Sequence, residues 1–499
     1  VSGTVEQTLD APALHAWADA AVRALDRHRA ELDQLNVFPV ADSDTGTNLY
    51  LTLREGLDAL TRDGADADDA ARDFARGALV GARGNSGVIV SQYLGALLRS
   101  LPPGPVAADA LATGLQTATT AAYRAVANPV EGTVLTIARA VGDGAAAATR
   151  PGVGTSAVLD AAIDAGYQAL GRTANQLDAL RAAGVLDAGA WGLLLVLDAL
   201  AEVLHGGDRP PTERPVPAMP ERHVCAAEGL AGGEFEVMYV VGREGLTDEA
   251  AIDVMLRDAL APIGDSVAVV GGEGLWQAHV HTHTPLAAVA AAAGVGARAT
   301  QIRVRHLASQ SGVHGAHRPP LGLVAVTGAP GLTADLARAG AVVVLVPLGE
   351  VAGPELERAI DDTGADTVLL LAVDGLLHLP VAREVRSVHG LSEAQVVAGA
   401  ATLASLDPAL GDARLADEVL AAVSGVRTMD VGAGGDAGRA AALAAELLAQ
   451  PCALLTVLPA ADAPPDVVDA VLAVAADRGV EAVVLPTGAP GDGVVLGAE

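Results

Sequence analysis

Lysine is absent from all 499 residues, so the 31 basic residues are all arginine. That absence excludes whole designs. A Walker A loop needs its lysine on the β- and γ-phosphates, and the protein-kinase fold needs a strand lysine beside the nucleotide. Schiff-base chemistry has no side-chain amine to start from. Cysteine is nearly absent as well: Cys225 and Cys452 are too few for a disulfide framework or a cysteine-rich zinc site. Aromatics make up 2% of the chain against a hydrophobic content of 51%, so the cores must be packed from Ala, Val and Leu. Positive charge is scarce, and the formal net charge is −30. So acidic a surface repels phosphate backbones and anionic headgroups, which argues against nucleic-acid binding and membrane docking. No apolar run is long enough for a membrane span, and the first ten residues lack the basic-then-apolar pattern of a secretory signal. The expectation is a cytoplasmic protein with no membrane insertion. An anion such as ATP can be held on this chain only if divalent cations offset the carboxylates.

Residues 1–205 read as successive amphipathic helices separated by Gly-rich breaks, which predicts an all-α domain. Residues 206–220 hold Pro210, Pro211, Pro215, Pro217 and Pro220, an extended linker. Strand-like Phe235–Val241, Ser266–Val270 and Leu275–His281, with helices after Thr247 and from Pro285, predict a small α+β domain over 221–311. From 320 to 499 continuous apolar runs such as Leu323–Val326, Ala341–Val346 and Thr367–Leu371 alternate with helices, predicting an α/β domain.

The sharpest local signal is the run Asn36-Val37-Phe38-Pro39-Val40-Ala41-Asp42-Ser43-Asp44-Thr45-Gly46-Thr47-Asn48. Asp42 and Asp44, two apart across a small residue, can turn both carboxylates to one point, and Mg²⁺ prefers one or two carboxylates plus phosphate and water. The same residues can equally form turns and cap the next helix. Gly81-Ala82-Arg83-Gly84-Asn85-Ser86-Gly87, Pro129–Thr133 and Asp187–Gly192 are three further polar Gly loops that each open a helix. Backbone N–H groups at such positions favour anions. Each is weak alone; four in one helical domain point to one shared pocket.

These segments resemble the ATP-binding domain of the dihydroxyacetone kinase L-subunit type, and most closely the catalytic subunit of bacterial fatty acid kinases. NVFPVADSDTGTN, GARGNSGVIVSQ, PVEGT and GVLDAGAWGL carry the resemblance, in that order from Asn36 to Leu193. It implies a barrel of antiparallel helices with Mg²⁺–ATP at one end. Asp42 and Asp44 would be the catalytic metal ligands, with Asn36 near where related kinases have a third carboxylate. Thr45, Gly46, Thr47, Asn48, Gly84, Asn85, Ser86 and Gly87 would meet the phosphates, and Thr133, Asp187 and Gly189 would line the nucleotide pocket.

Ala278-His279-Val280-His281-Thr282-His283 lies on the last middle-domain strand, where alternate residues share a face. Two imidazoles so spaced can bind zinc or simply stay solvated. The related kinases complete a Zn²⁺ site here with a cysteine; Glu236 stands in that place in this chain, giving a Glu236–His279–His281 set. The C-terminal region resembles DegV-like domains, implying partner docking or dimerisation, with a homodimer expected. The activity implied is phosphorylation of a fatty acid carboxylate presented by a separate fatty-acid-binding protein. The alternatives are a dihydroxyacetone-type kinase and a nucleotide-binding regulatory scaffold without turnover.

Overall fold

The structure, a computed structural model, describes residues 8–60, 67–102, 104–206, 209, 233–243, 251–310, 319–377 and 385–499. The expected linker at 206–220 lies almost wholly outside the described residues, as does Cys225.

Among the described residues, eleven helices precede the first named strand: α1 (Ala11–Arg27), α2 (Arg29–Gln34), α3 (Thr45–Ala59), α4 (Ala67–Val80), α5 (Gly84–Ser100) and α6 (Ala108–Ala125), then α7 (Val134–Ala148), α8 (Thr155–Leu170), α9 (Thr173–Gln176), α10 (Asp178–Ala183) and α11 (Ala188–Leu204). The first shows why the sequence folds this way. Asp10 caps α1 by accepting from Ala13 N at 2.9 Å, a proline occupies the first turn, and Leu14, Trp17, Ala18, Ala21 and Leu25 bury one face. Side by side, α3 through α8 pack in chain order, while α11 packs on α8, α7 and α1. Since α11 is apolar on nearly every side, it sits inside the bundle. Small residues replace aromatic bulk as the means of close approach. A Cβ on Gly56 would lie 2.7 Å from the Phe74 ring, and one on Gly166 would lie 2.6 Å from Leu194.

The next strands and helices are β1 (Phe235–Gly242), α12 (Ile252–Leu260), β2 (Gly264–Gly272), β3 (Leu275–Thr282), α13 (Pro285–Gly294), β4 (Ala299–His306) and α14 (Leu307–Gln310). They are followed by β5 (Gly322–Thr327), α15 (Thr333–Arg338), β6 (Ala341–Leu345), α16 (Gly353–Asp362), β7 (Val368–Val373) and β8 (Arg386–Leu391). Eight strands form one sheet in the order β2-β3-β1-β4-β6-β5-β7-β8. The β4–β6 pair is antiparallel, with Arg303 opposite Val344. The break expected between 311 and 320 is therefore not an edge between separate sheets: the middle and following segments share one. Strand β4 itself was not anticipated, since the chain from Pro285 onward reads as helical.

The rest of the chain comprises α17 (Glu393–Ser405), α18 (Asp412–Gly425), β9 (Arg427–Asp430), α19 (Ala437–Leu447), β10 (Leu454–Pro459), α20 (Pro465–Asp477), β11 (Glu481–Val484) and β12 (Val494–Ala498). Its four strands make a second sheet, ordered β11-β10-β12-β9. Among the described residues no helix is long and apolar enough to cross a membrane.

Period-two alternation places the site. On one face of the large sheet Phe235, Val237, Tyr239, Val280 and Val304 join an apolar core that includes α12. On the other face Met238, Ala268 and Val270 pack against Leu79, Ala82, Val88 and Ala125 of the helical region. Three polar links fix that contact: Ala127 N to Val267 O at 3.1 Å, Gln277 Nε2 to Ala82 O at 3.1 Å, and Gly271 N to Gln92 Oε1 at 3.2 Å. The face bearing Glu236, His279 and His281 is thereby turned towards the loops of the helical domain.

Candidate active site

The acidic loop joins α2 to α3. Its Phe38–Pro39 peptide is cis, and Ser43 sits at φ 56°, a left-handed conformation between the two aspartates. Asn36 donates to Asp42 Oδ1 at 2.6 Å and to Val40 O at 2.7 Å, while its Oδ1 accepts from the Thr45 hydroxyl. Both ends of that amide are engaged, so Asn36 braces Asp42 and the start of α3. Burial first, then the adjacent Asp44 carboxylate, push Asp42 well above the usual carboxylate range. Burial also raises Asp44, against the pull of Arg305. Asp44 keeps 20% of its side chain exposed, the opening through which a ligand can reach the pair. Thr47 donates to Asp33 at 2.8 Å and accepts from Arg29 Nε at 2.9 Å, and Asp33 also takes the Thr47 N–H at 2.9 Å. Asp33, pushed up to about 6 by burial, was not singled out in the sequence.

The other three loops come to the same end of the bundle. Gly84, at φ 55°, brings its backbone so close to Asn48 that an added Cβ would stand 2.3 Å from Asn48 Nδ2. A Cβ on Gly189 would stand 3.1 Å from Ser86 Oγ. Asp187 caps α11 through Ala190 N at 2.7 Å and also faces the Val134 N–H, so the Asp187 and Thr133 loops meet. Thr133 caps α7, and its hydroxyl donates to Val130 O at 2.7 Å. Asn85 and Ser86 stay half-buried at the start of α5, with Gly87 against Thr52. The four Gly loops thus form one cluster, as their recurrence in the sequence suggested.

Burial lifts Asp187 to about 7. A carboxyl raised in the folded state contributes stability that is present below its ordinary 3.8 and lost as pH rises through about 7. Asp187→Asn keeps a capping side chain but cannot ionise. Thermal unfolding followed from pH 4 to pH 8 should show the variant gaining on the parent as pH rises, and parallel curves would contradict the burial argument.

Opposite the acidic loop lies the middle cluster. One donor atom each from Glu236, His279 and His281 falls within 4.8 Å of the others, and all three residues are buried. His279 Nδ1 lies 3.2 Å from Ser266 O and its Nε2 3.0 Å from Glu236 Oε1, so both ring nitrogens face oxygen acceptors. His281 Nδ1 is buried without a hydrogen-bond partner, and burial lowers that imidazole to about 3, so it stays neutral. His283 is exposed and outside the cluster. Arg305, on unanticipated β4, donates its Nε to Glu236 Oε2 at 2.6 Å and places Nη2 3.8 Å from Asp44 Oδ2.

A buried ion network ties this centre to the third segment. Asp362, at the end of α16, meets Arg83 Nε at 2.6 Å and Arg303 at 3.2 Å. These guanidiniums hold Asp362 below the usual carboxylate range despite its burial. Arg358 pairs with Glu55 at 3.2 Å, and Arg54 with Asp361. Arg83 is fully buried directly before Gly84, so α16 fixes one of the Gly loops.

Residues 39–202 match the DAK2 domain model, and residues 233–313 match the model of the FakA-like middle domain of fatty acid kinases. The chain thus carries a DAK2 domain followed by a FakA-like middle domain. It is a phosphotransferase. Protein YloV of Bacillus subtilis is 29% identical over 392 residues, covering 73% of this chain and 70% of that protein. A Staphylococcus haemolyticus protein, SH1689, is 34% identical over 261 residues, half of this chain and 46% of its own length. The chain thus spans about half the length of such staphylococcal relatives. The crystal structure of dihydroxyacetone kinase from C. freundii in complex with AMP-PNP and Mg²⁺ is 25% identical over 40% of this chain and 36% of that one, with a TM-score of 0.30.

Proposed function

We propose that this kinase transfers the γ-phosphoryl group of ATP to the carboxylate of a fatty acid presented by a separate lipid-binding protein. The bond from the γ-phosphorus to the bridging oxygen breaks and a bond to the carboxylate oxygen forms, giving ADP and an acyl phosphate. The observation that carries the reading is the convergence of four Gly loops, one of which holds the buried Asp42 and part-buried Asp44, both raised above the usual carboxylate range. Those aspartates fit a divalent ion: Asp42 and Asp44 face each other with a single guanidinium at 3.8 Å, so their charge is under-compensated. Mg²⁺ held there would neutralise charge on the phosphates, a task the lysine-free chain assigns to no ammonium group. The N–H groups opening α3, α5 and α11, with Asn48, Ser86 and Thr133, would orient the nucleotide. The neighbour order of the long helices, with α11 returning to α1 and α8, supports the expected barrel. A second divalent ion at Glu236, His279 and His281 is supported by the orphaned His281 Nδ1; two imidazoles and a carboxylate suit zinc or a harder metal.

The test incubates the chain with Mg²⁺–ATP and an oleate-loaded acyl-carrier protein and traps acyl phosphate with hydroxylamine. Carrier-dependent product is the expected result. Turnover with dihydroxyacetone alone would move the acceptor to a small polyol. Nucleotide binding without turnover on either acceptor would make the chain a regulatory scaffold.

A further inference from the structure

Arg305 stands between the two acidic centres, and we propose that it is an exchangeable counter-ion for Asp44, a positioning residue that holds the acidic loop until a divalent ion takes that carboxylate. The inference rests on the reading of Asp42 and Asp44 as the metal ligands. Its two contacts differ in kind. With Glu236 the guanidinium makes a hydrogen bond of 2.6 Å through Nε and a second close contact through Nη2. With Asp44 the separation is 3.8 Å, within ion-pair range but beyond a hydrogen bond. The first contact anchors the side chain; the second can be given up.

The surroundings leave this part to Arg305. Arg83 and Arg303 are committed to Asp362, and Arg358 to Glu55 and Gln301. Among the described residues, Arg305 is the cation in ion-pair range of the acidic loop. It is 8% exposed, and its buried Nη2 lies against Glu236 Oε2 and faces Asp44 without a well-directed hydrogen bond to either. Once a divalent ion occupies Asp44, the Nη2 N–H is free to meet an oxygen of the bound phosphoryl group. The cation comes from β4 of the sheet, so the helical domain alone lacks it.

The proposal separates metal affinity from rate. In nucleotide-free protein, Arg305→Gln should bind Mn²⁺ more tightly, on the order of tenfold, because a competing cation has gone. The same variant should lose roughly 100-fold or more in kcat, as when one preorganised donor is removed, with little change in KM for ATP. Arg305→Lys should recover part of kcat. Since Arg305→Gln leaves Glu236 buried without its partner, the Arg305→Gln/Glu236→Gln pair is measured too. That pair removes both charges and prevents Mn²⁺ from gaining Glu236 as a ligand. It should still bind Mn²⁺ more tightly than the parent. Mn²⁺ affinity and kcat falling together would reduce Arg305 to structural support, and neither changing would also overturn the proposal. Asp44→Asn is run in parallel. If it weakens Mn²⁺ binding while Arg305→Gln does not alter it, the counter-ion idea fails alone. If Asp44→Asn leaves Mn²⁺ binding intact, the metal assignment itself fails.

Discussion

Asp44→Asn is expected to cut phosphoryl transfer by about three orders of magnitude or more, while the ligand-free protein becomes harder to melt at neutral pH. The rate follows from the worth of a divalent ion at a transferring phosphoryl group, several kcal/mol, with each ~1.4 kcal/mol a factor of ten. The stability runs the other way. Burial raises the Asp44 carboxyl above its ordinary 3.8, and Glu236 adds to the rise. The native state therefore favours the protonated form. The stability this group contributes is present below pH 3.8 and lost as pH rises through its folded value. Asparagine cannot ionise, so the melting curves of parent and variant should coincide near pH 3.5 and diverge above it. Adding Mg²⁺ at pH 7.5 should raise the parent's Tm by linkage and leave the variant's nearly unmoved. Asp42→Asn should behave alike. Unchanged turnover in both variants would remove the metal assignment.

The helical domain was legible because its signals are local. Heptad-like spacing of Leu14, Trp17, Ala21 and Leu25 predicts the buried face of α1, and four Gly loops in order predict one pocket. What joins the segments was not. Strand β4 carries Arg303 and Arg305 in alternation with Ile302 and Val304, a two-residue period that is present in Ala299–His306. Arginines at alternate positions read as a solvent face. In the fold that face meets the helical domain, and Asp362 and Glu236 compensate the charge. Their sequence separation from Arg303 and Arg305 is large, so no local pattern announces the pairs. The single eight-stranded sheet escaped notice for the same reason: the pairing of β4 with β6 spans residues 312–320, whose Gly, His and Pro read as a domain break. Asn36 carries a part that the motif alone does not announce: its amide braces the loop through Asp42, Val40 and Thr45.

Asp362→Ala is expected to be the most destabilising of the charge substitutions and to damage the proposed nucleotide site, which Asp362 does not touch. Its carboxylate lies between Arg83 from the helical domain and Arg303 from β4, with side-chain exposures of 3%, 1% and 6%. Removing it leaves two guanidiniums buried beside each other without their shared partner. Breaking a buried ion pair in this way costs about 3–5 kcal/mol. Burial already holds Arg303 down to about 10, so little further loss of compensation is tolerable there. The carboxyl is depressed in the folded state, so its contribution is present above 3.8 and lost as pH falls through its folded value. Urea unfolding should therefore show the gap between parent and variant closing in acid. The functional consequence travels through Arg83, whose backbone precedes Gly84 and whose N–H bonds Thr52 Oγ1 at 3.1 Å. A loosened Arg83 frees the Gly84–Asn48 approach, so KM for ATP should rise about tenfold, an order of magnitude ordinary for misplaced positioning groups. Placing a carboxylate of one extra methylene there, Asp362→Glu, restores the charge but overfills the site. It should recover stability in part and KM less. A stability loss below about 1 kcal/mol, the range of exposed pairs, would mean that solvent reaches this network and that α16 does not brace the loop.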